Sequence, residues 1–210
     1  LSAQGITNTL PNINYFQLAS ASSDAGSITF SKYPIINTGE IRFPDSSNLV
    51  LFSDLKISDH QTIRVYNCHF QSYSIDPDDY SIIDPLGAGS NGEQIKEARK
   101  ISYKLKNGFE MRAFQARKVA EHIRKSPYPV VVCGDFNDTP VSYAYRKVRG
   151  DLKDTFVEAG WGISNTYNGV LPSFRIDYIL CSQRFEVQSY NRDRVYLSDH
   201  FPVRSQLFID

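Results

Sequence analysis

Side chains suited to acid–base chemistry and metal binding occur in this sequence at one kind of place, the end of an apolar, strand-like run. Three such runs are followed directly by these residues, and a fourth run contains an aspartate. Strand ends hold side chains rigidly at the rim of a cleft, where active sites are usually built. Carboxylates and imidazoles can exchange protons, and carboxylates also bind hard divalent cations. The candidates are His69, Asp135, Asn137, Asp177, Asp199 and His200.

Each candidate taken alone also has a structural interpretation. Asp135 and Asn137 could form a turn, because Asp and Asn bond their own backbone. His69 could be a structural histidine, and Ser198-Asp199-His200 could be a turn with a capping aspartate. That triplet is not a hydrolase triad, since triads are assembled in space and the sequence contains no G-x-S-x-G. Asp177 is the hardest to explain structurally, because a carboxylate in an apolar run is costly unless a cation or donor, such as a histidine, meets it.

The first part of the sequence has the pattern of antiparallel strands. Short apolar runs alternate with turn residues through positions 1–60, and the runs 48–57 and 62–70 predict a hairpin. Residues 71–92 are dominated by Ser, Asp, Pro and Gly and are interpreted as a long loop, which in a compact domain is usually functional or mobile.

The second part mixes helices with strands. The spacing over 93–125 predicts helix with a break near Asn107-Gly108. The continuous apolar run 129–133 predicts a strand buried on both faces. Thr139-Pro140 has the form of an N-cap and a first-turn proline, which predicts a helix over 142–148. Further strands are expected at 175–180, 185–188 and 203–208. This order predicts α and β layers around mixed sheets.

Composition indicates one folded domain over residues 1–210. The sequence has 23 basic and 23 acidic side chains and is 41% hydrophobic, which excludes a disordered chain. No run approaches the roughly 18 apolar residues of a membrane-spanning helix. Three cysteines without C-x-x-C spacing argue against a zinc site. We expect Cys68, Cys133 and Cys181 to be buried small hydrophobic residues.

The zero net charge argues against a protein that holds nucleic acid by bulk electrostatics. It conceals an uneven distribution, since residues 76–84 contain four aspartates and no base, whereas 93–125 contain ten Lys and Arg against four Glu. A solvated helix face accounts for the basic residues. The acidic stretch follows His69 and would repel a polyanion, so nucleic acid is a possible but not a favoured partner.

Several segments of the chain also match a known pattern in order and spacing. They are 26–34, 67–69, 112–115, 131–140, 175–178 and 198–203. Together they resemble the endonuclease/exonuclease/phosphatase superfamily, which includes DNase I-like nucleases, abasic-site endonucleases, sphingomyelinases and inositol-polyphosphate phosphatases. The resemblance covers nearly the whole chain. The inositol-phosphatase branch is disfavoured, because its Trp-rich variant of the Gly-Asp-x-Asn motif and its Cys-Asp-Arg motif are absent.

The resemblance implies a four-layer α/β/β/α sandwich of two mixed sheets that hydrolyses phosphate mono- or diesters with a divalent cation, Mg²⁺ or Mn²⁺. Asp135 would accept the proton of the attacking water, and Asn137 would hold the water or a phosphoryl oxygen. Asp199 would ligate the cation. The remaining expected roles are donation to phosphoryl oxygens by His69 and His200, orientation of His200 by Asp177, and substrate binding by Arg112, Gln115 and Arg175.

The sequence departs from the family pattern at its start. Family members have an N-terminal strand with an Asn and a following strand ending in Gln-Glu, whose Glu is a principal metal ligand. Neither motif precedes Gly26. We therefore expect an N-terminally shortened domain with an incomplete metal site, or a non-catalytic binding domain that keeps the fold. An upstream membrane anchor is a further expectation. The physiological substrate, compartment and oligomeric state are not predicted.

Overall fold

A computed structural model describes residues 5–6, 9–10, 12–20, 26–73, 92–169 and 174–210. Their strands and helices are named here in the order of the sequence. They are β1 (Tyr15–Ser20), β2 (Gly26–Ser31), β3 (Ile35–Arg42), β4 (Leu49–Lys56), β5 (Thr62–His69), α1 (Gly92–Arg124), β6 (Val130–Asp135), α2 (Tyr143–Arg149), β7 (Lys153–Asp154), α3 (Thr155–Ala159), β8 (Asp177–Cys181), β9 (Phe185–Arg192) and β10 (Val203–Ile209).

A mixed sheet of six strands is the centre of the fold, in the order β3-β4-β5-β6-β8-β7. Strands β4 and β5 pair antiparallel, as the predicted hairpin requires. Strands β5 and β6 pair in parallel, and α1 belongs to the crossover between them. Strand β8 returns antiparallel to β6. This topology brings the last residues of β5 and β6 and the first residues of β8 together at the same end of the strands.

Helices cover one face of this sheet and bury the main core. Side chains from β4, β5, β6 and β8 meet α1 and α2 in one apolar cluster, which includes Val50, Tyr66, Val119, Val132 and Leu180. Alternation along a strand places every second residue on this face. The residues between them, including His69, Asp135 and Asp177, therefore point to the opposite face.

The opposite face carries two antiparallel pairs, β1 with β2 and β9 with β10. Strand β2 contacts β4 and β5, β10 contacts β8, and α3 lies against β9 and β8. The predicted layered α/β class is confirmed. The described residues differ in detail from two mixed sheets, since one layer is a six-stranded mixed sheet and the other consists of two separate pairs. None of the described helices has a stretch long and apolar enough to span a membrane.

Two local predictions about helices were wrong. Helix α1 runs without interruption from Gly92 to Arg124, through the expected break. A Cβ on Gly108 would lie 3.2 Å from both Tyr73 and Arg112, so this glycine permits close packing instead of ending the helix. Helix α2 is capped by Ser142, whose hydroxyl accepts a bond from the Tyr145 N–H, and not by Thr139.

The cysteines follow the prediction in part. All three are free thiols, and Cys68 and Cys181 are buried, whereas Cys133 is half-buried and its Sγ lies 3.3 Å from the Tyr66 carbonyl oxygen. Cys133 is on the face that the two strand pairs cover. The acidic stretch 76–84 and most of the predicted loop lie outside the described residues, so its predicted effect on polyanions stays a prediction.

Candidate active site

Three candidate residues stand in one row across neighbouring strands. His69 is paired with Asp135 in the β5–β6 register, and Asp135 is paired with Asp177 in the β6–β8 register. Residues at matching positions of adjacent strands point to the same face. The row therefore follows from topology, although its members are far apart in sequence.

Gly134 allows the strands to approach at this row. Its φ of 136° is a backbone conformation that residues with a side chain rarely adopt, and a Cβ here would collide with the Cys68 carbonyl oxygen. A larger residue would push β6 away from β5 next to Asp135. This is a physical reason for glycine immediately before the aspartate.

Asn137 holds the Asp135 carboxylate by both oxygens. The Asn137 backbone N–H donates to Oδ1 and its side-chain amide donates to Oδ2, each at 2.7 Å. The same amide donates to the Phe70 carbonyl at 2.9 Å. Asn137 has a φ of 51°, which asparagine tolerates better than most residues. The turn interpretation is thus correct in geometry, and this turn positions Asp135; the predicted contact of Asn137 with water or phosphate stays a prediction.

His200 joins the row through Asp177. Its Nδ1 lies 2.9 Å from Asp177 Oδ2, and this hydrogen bond is the main reason that the pKa of His200 rises to about 9. At neutral pH the imidazole is therefore protonated, with Nδ1–H donating to the carboxylate. The partner that the sequence analysis required for Asp177 is this histidine.

Asp135 is perturbed by a different cause. Burial, and then the nearby negative charge of Asp177, raises the pKa of Asp135 to about 7, against the backbone hydrogen bond from Asn137, which lowers it. A carboxyl with this pKa is well matched to proton transfer near neutral pH.

His69 stands at the exposed rim of the row. Its Nε2 is 4.0 Å from Asp135 Oδ2. Partial desolvation, with the charge of His200 next, lowers the pKa of His69 from its ordinary value, which disfavours the imidazolium form in this contact. A neutral imidazole can still donate one N–H.

The donor atoms at the row fit a hard divalent cation. Ligand atoms of Asp135, Asp177 and His200 all lie within 4.8 Å of one another. Two neighbouring carboxylates, one with its pKa raised by burial and by the other's charge, are a site where a cation would relieve repulsion. The Nδ1 atom of His200 is engaged with Asp177, which leaves the carboxylates as the groups that would face such a cation. Asp199 is exposed, accepts a bond from the Ser198 hydroxyl and lies outside this group, so its role as a ligand stays a prediction.

The expected substrate-binding residues Arg112 and Gln115 are not open to solvent, because both side chains are fully buried. Arg112 Nε donates to Asp138 at 3.0 Å, and its Nη1 donates to the Gln71 carbonyl at 2.8 Å. Gln115 Oε1 accepts from the Gln71 N–H at 2.9 Å. These residues of α1 fix the segments that follow β5 and β6, which corrects the predicted contact with substrate.

The Arg175 side chain is also engaged within the protein. Its Nη1 bonds both carboxylate oxygens of Asp154, at 3.0 and 2.7 Å, and its guanidinium lies over the Phe156 and Tyr178 rings. Its side chain is 9% exposed. The family resemblance led us to expect that Arg175 binds substrate, but a buried carboxylate partner accounts for its charge here.

Thr166 is a residue of the site region that the sequence analysis did not find. It is fully buried, and its hydroxyl accepts bonds from the N–H groups of Ile176 and Asp177, each at 3.0 Å. Only the neighbouring Arg175-Ile176-Asp177 motif could have indicated the region, since a single threonine carries no signal of its own.

Comparisons with known proteins agree with this fold. The sequence matches the Endonuclease/Exonuclease/phosphatase family over residues 4–200. A search of the curated proteins finds no match. Three solved structures illustrate the similarity of fold. An endonuclease/exonuclease/phosphatase family protein from Bacteroides thetaiotaomicron is 19% identical with a TM-score of 0.61, over 99% of this chain and 77% of that one.

The second structure is a mannosyl-6-phosphatase, also from Bacteroides thetaiotaomicron, with 19% identity, a TM-score of 0.57 and coverage of 98% and 80%. The third is the human Nocturnin catalytic domain with bound sulfate, with 14% identity, a TM-score of 0.58 and coverage of 93% and 72%. The family match spans most of the chain, and the structural similarity spans the described sheet and its flanking layers. The chain belongs to the endonuclease/exonuclease/phosphatase family.

Proposed function

We propose that this protein hydrolyses phosphate mono- or diesters with the help of Mg²⁺ or Mn²⁺. The observation that carries the proposal is the row of His69, Asp135 and Asp177 across adjacent strands, with His200 bonded to Asp177. The family consists of hydrolases of phosphate esters, which supports the same reaction class.

Asp135 is the proposed base. Its carboxylate is fixed by Asn137, and its pKa of about 7 leaves it able to accept a proton near neutral pH. The proton of the attacking water passes to Asp135 while the water oxygen forms a bond to phosphorus. The bond between phosphorus and the leaving oxygen breaks in the same displacement.

His200 and His69 are the proposed donors. His200 carries a proton at neutral pH because Asp177 stabilises the imidazolium, so it can donate to a phosphoryl oxygen and release a proton to the leaving oxygen. His69 lies on the other side of Asp135 and can donate to a second phosphoryl oxygen. The substrate then lies over Asp135, between the two imidazoles.

The Asp177 carboxylate, with the negative charge of Asp135 beside it, is the group that would hold a divalent cation. When bound, such a cation supplies positive charge that neutralises the phosphate and stabilises the transition state. Mn²⁺ binding can be followed by electron paramagnetic resonance without any measure of activity. We expect Asp135→Asn and Asp177→Asn each to weaken binding, whereas Asp193→Asn, a carboxylate bonded to Arg204 outside the row, leaves it unchanged.

The direct test is hydrolysis of bis-p-nitrophenyl phosphate and p-nitrophenyl phosphate with Mg²⁺ or Mn²⁺. We expect Asp135→Asn to lower kcat by about 10²–10⁴-fold, the usual contribution of general acid–base catalysis. Asp59→Asn changes an exposed aspartate in the turn before β5 and is the matched control. Wild-type activity in Asp135→Asn would refute the assigned base, and absence of hydrolysis by the wild type would favour a binding domain.

A further inference from the structure

We infer that Thr166 is a positioning residue for the His200–Asp177 pair. The inference rests on the proposed function, because it concerns how the proposed donor and its carboxylate are held together. Thr166 touches neither a proposed reacting atom nor the cleft, since it is fully buried. It acts through two sets of hydrogen bonds that point to different parts of the site.

The Thr166 hydroxyl fixes the start of β8. Its oxygen accepts from the backbone N–H groups of Ile176 and Asp177, which occupies both of its lone pairs. The Thr166 backbone N–H also donates to the Phe174 carbonyl at 3.0 Å. The backbone at Ile176 and Asp177 is therefore held from two sides, by pairing with β6 and by this one side chain.

The backbone of the same segment fixes His200. The Thr166 carbonyl accepts from the Phe201 N–H at 2.7 Å, and the Asp199 carbonyl accepts from the Asn168 N–H at 2.7 Å. Between these bonds Tyr167 forms a β-bridge with His200, and the two rings lie edge to face with centroids 5.3 Å apart. Residues 166–168 thus join β8 to the segment that carries His200.

The hydrogen bond between Asp177 and His200 joins residues that are 23 positions apart in the sequence. Asp177 and His200 are separated by β8, β9 and the turn before β10, so their 2.9 Å contact depends on tertiary structure. Residues 166–168 bond both sides of that contact. Loss of the hydroxyl should therefore displace Asp177 relative to His200 while leaving the rest of the sheet in place.

The experiment compares Thr166→Val, which keeps the shape and loses the acceptor, with Thr166→Ser, which keeps the hydroxyl. Thr155→Val is the control, because Thr155 is equally buried and its hydroxyl also accepts a bond, from Ser205, outside the site. Hydrolysis of bis-p-nitrophenyl phosphate gives kcat and KM. Nuclear magnetic resonance of protein isotopically labelled at histidine gives the Nδ1–H signal of His200. The signal is assigned among the four histidines by its loss in His200→Gln.

We expect Thr166→Val to lower kcat by about 10- to 100-fold, the usual effect of removing a group that orients a catalytic one. KM should stay within about twofold, because substrate contacts are kept. The His200 Nδ1–H signal should shift or broaden. Thr166→Ser should restore both kcat and the signal, and Thr155→Val should change neither even though it lowers thermal stability.

Wild-type kcat and an unchanged His200 signal in Thr166→Val would overturn the inference, as would equal effects of Thr166→Val and Thr155→Val. If Thr166→Val does not fold, Thr166→Cys, with its weaker acceptor, takes its place and must lower kcat and move the signal. If the wild type hydrolyses no phosphate ester, the proposed function fails, while the His200 signal still decides whether Thr166 positions the pair.

Discussion

The two halves of the candidate site obtain their protonation states in opposite ways. In the Asp135 half, burial next to a second carboxylate favours the neutral acid and raises the pKa to about 7. In the His200 half, a hydrogen-bonded carboxylate favours the charged imidazolium and raises the pKa to about 9. Between about pH 7 and about pH 9, Asp135 has lost its proton while His200 still carries one. A base and an acid can therefore coexist in one site at neutral to mildly alkaline pH.

The substitution expected to disturb these two protonation states most is Asp177→Asn. It removes the partner of His200 and one negative charge beside Asp135. The pKa of His200 should fall towards its ordinary value of 6.5, and the pKa of Asp135 should fall as well. We expect kcat at pH 8 to drop by about 10- to 100-fold, as for other orienting carboxylates. Retention of wild-type kcat, with an unchanged alkaline limb of the rate profile, would contradict the role of Asp177.

A smaller effect is expected from Asn137→Gly, which removes one side-chain bond to Asp135 and suits the positive φ. With fewer donors on the carboxylate, the pKa of Asp135 should rise further and the acid limb of the rate profile should move to higher pH. The optimal kcat should stay within about tenfold of wild type, at the lower end for an orienting contact. The kcat profile measures both quantities, and an acid limb that moves to lower pH would argue against this account of Asp135.

Thermal unfolding separates the two halves by pH window. Both groups have raised pKa values in the folded state, so the fold binds more protons than the unfolded chain and loses stability as pH rises. For Asp135 the loss falls between its ordinary value of 3.8 and about 7, and for His200 between 6.5 and about 9.

The unfolding midpoint should fall by at least about 2 °C across each window, a change that a small free-energy difference produces in a chain of this size. Asp135→Asn should flatten the lower window and His200→Gln the upper one. If both variants flattened the same window, the two halves would not titrate separately.

The smallest effect concerns a residue outside both halves. Ser142→Ala removes the cap of α2 and should cost about 1 kcal/mol of the free energy of unfolding. Thr139→Ala, at the position that the sequence favoured, should stay within about 0.5 kcal/mol of wild type. Chemical denaturation measures both, and neither variant should change the rate profile. If Thr139→Ala lost more unfolding free energy than Ser142→Ala, the assignment of Ser142 as the cap would be wrong.

Sequence reasoning found the parts of the site that depend on local chemistry. Asp135 follows an apolar strand and a glycine, and Asp177 interrupts an apolar run, so both stood out by their type and position. It also predicted the β4–β5 hairpin, because the strands and the turn between them are contiguous.

What the sequence could not supply depends on contacts between distant segments. Arg112 was counted with the exposed basic residues of its helix, but Asp138 and the Gln71 carbonyl hold it in the core. Thr166 was missed because its importance comes from Ile176 and Asp177, ten and eleven positions away, which fold back onto it. The match of Asp135 with His69 and Asp177 likewise required the strand order of the sheet.

The most direct test of the central claim is the pH dependence of kcat for phosphate-ester hydrolysis, measured for the wild type and Asp177→Asn. We expect a bell-shaped profile for the wild type, with the acid limb near pH 7 from Asp135 and the alkaline limb near pH 9 from His200. In Asp177→Asn the alkaline limb should move to lower pH. A profile without an alkaline limb, or a limb that stays near pH 9 in Asp177→Asn, would contradict the claim that the Asp177–His200 pair supplies the acid.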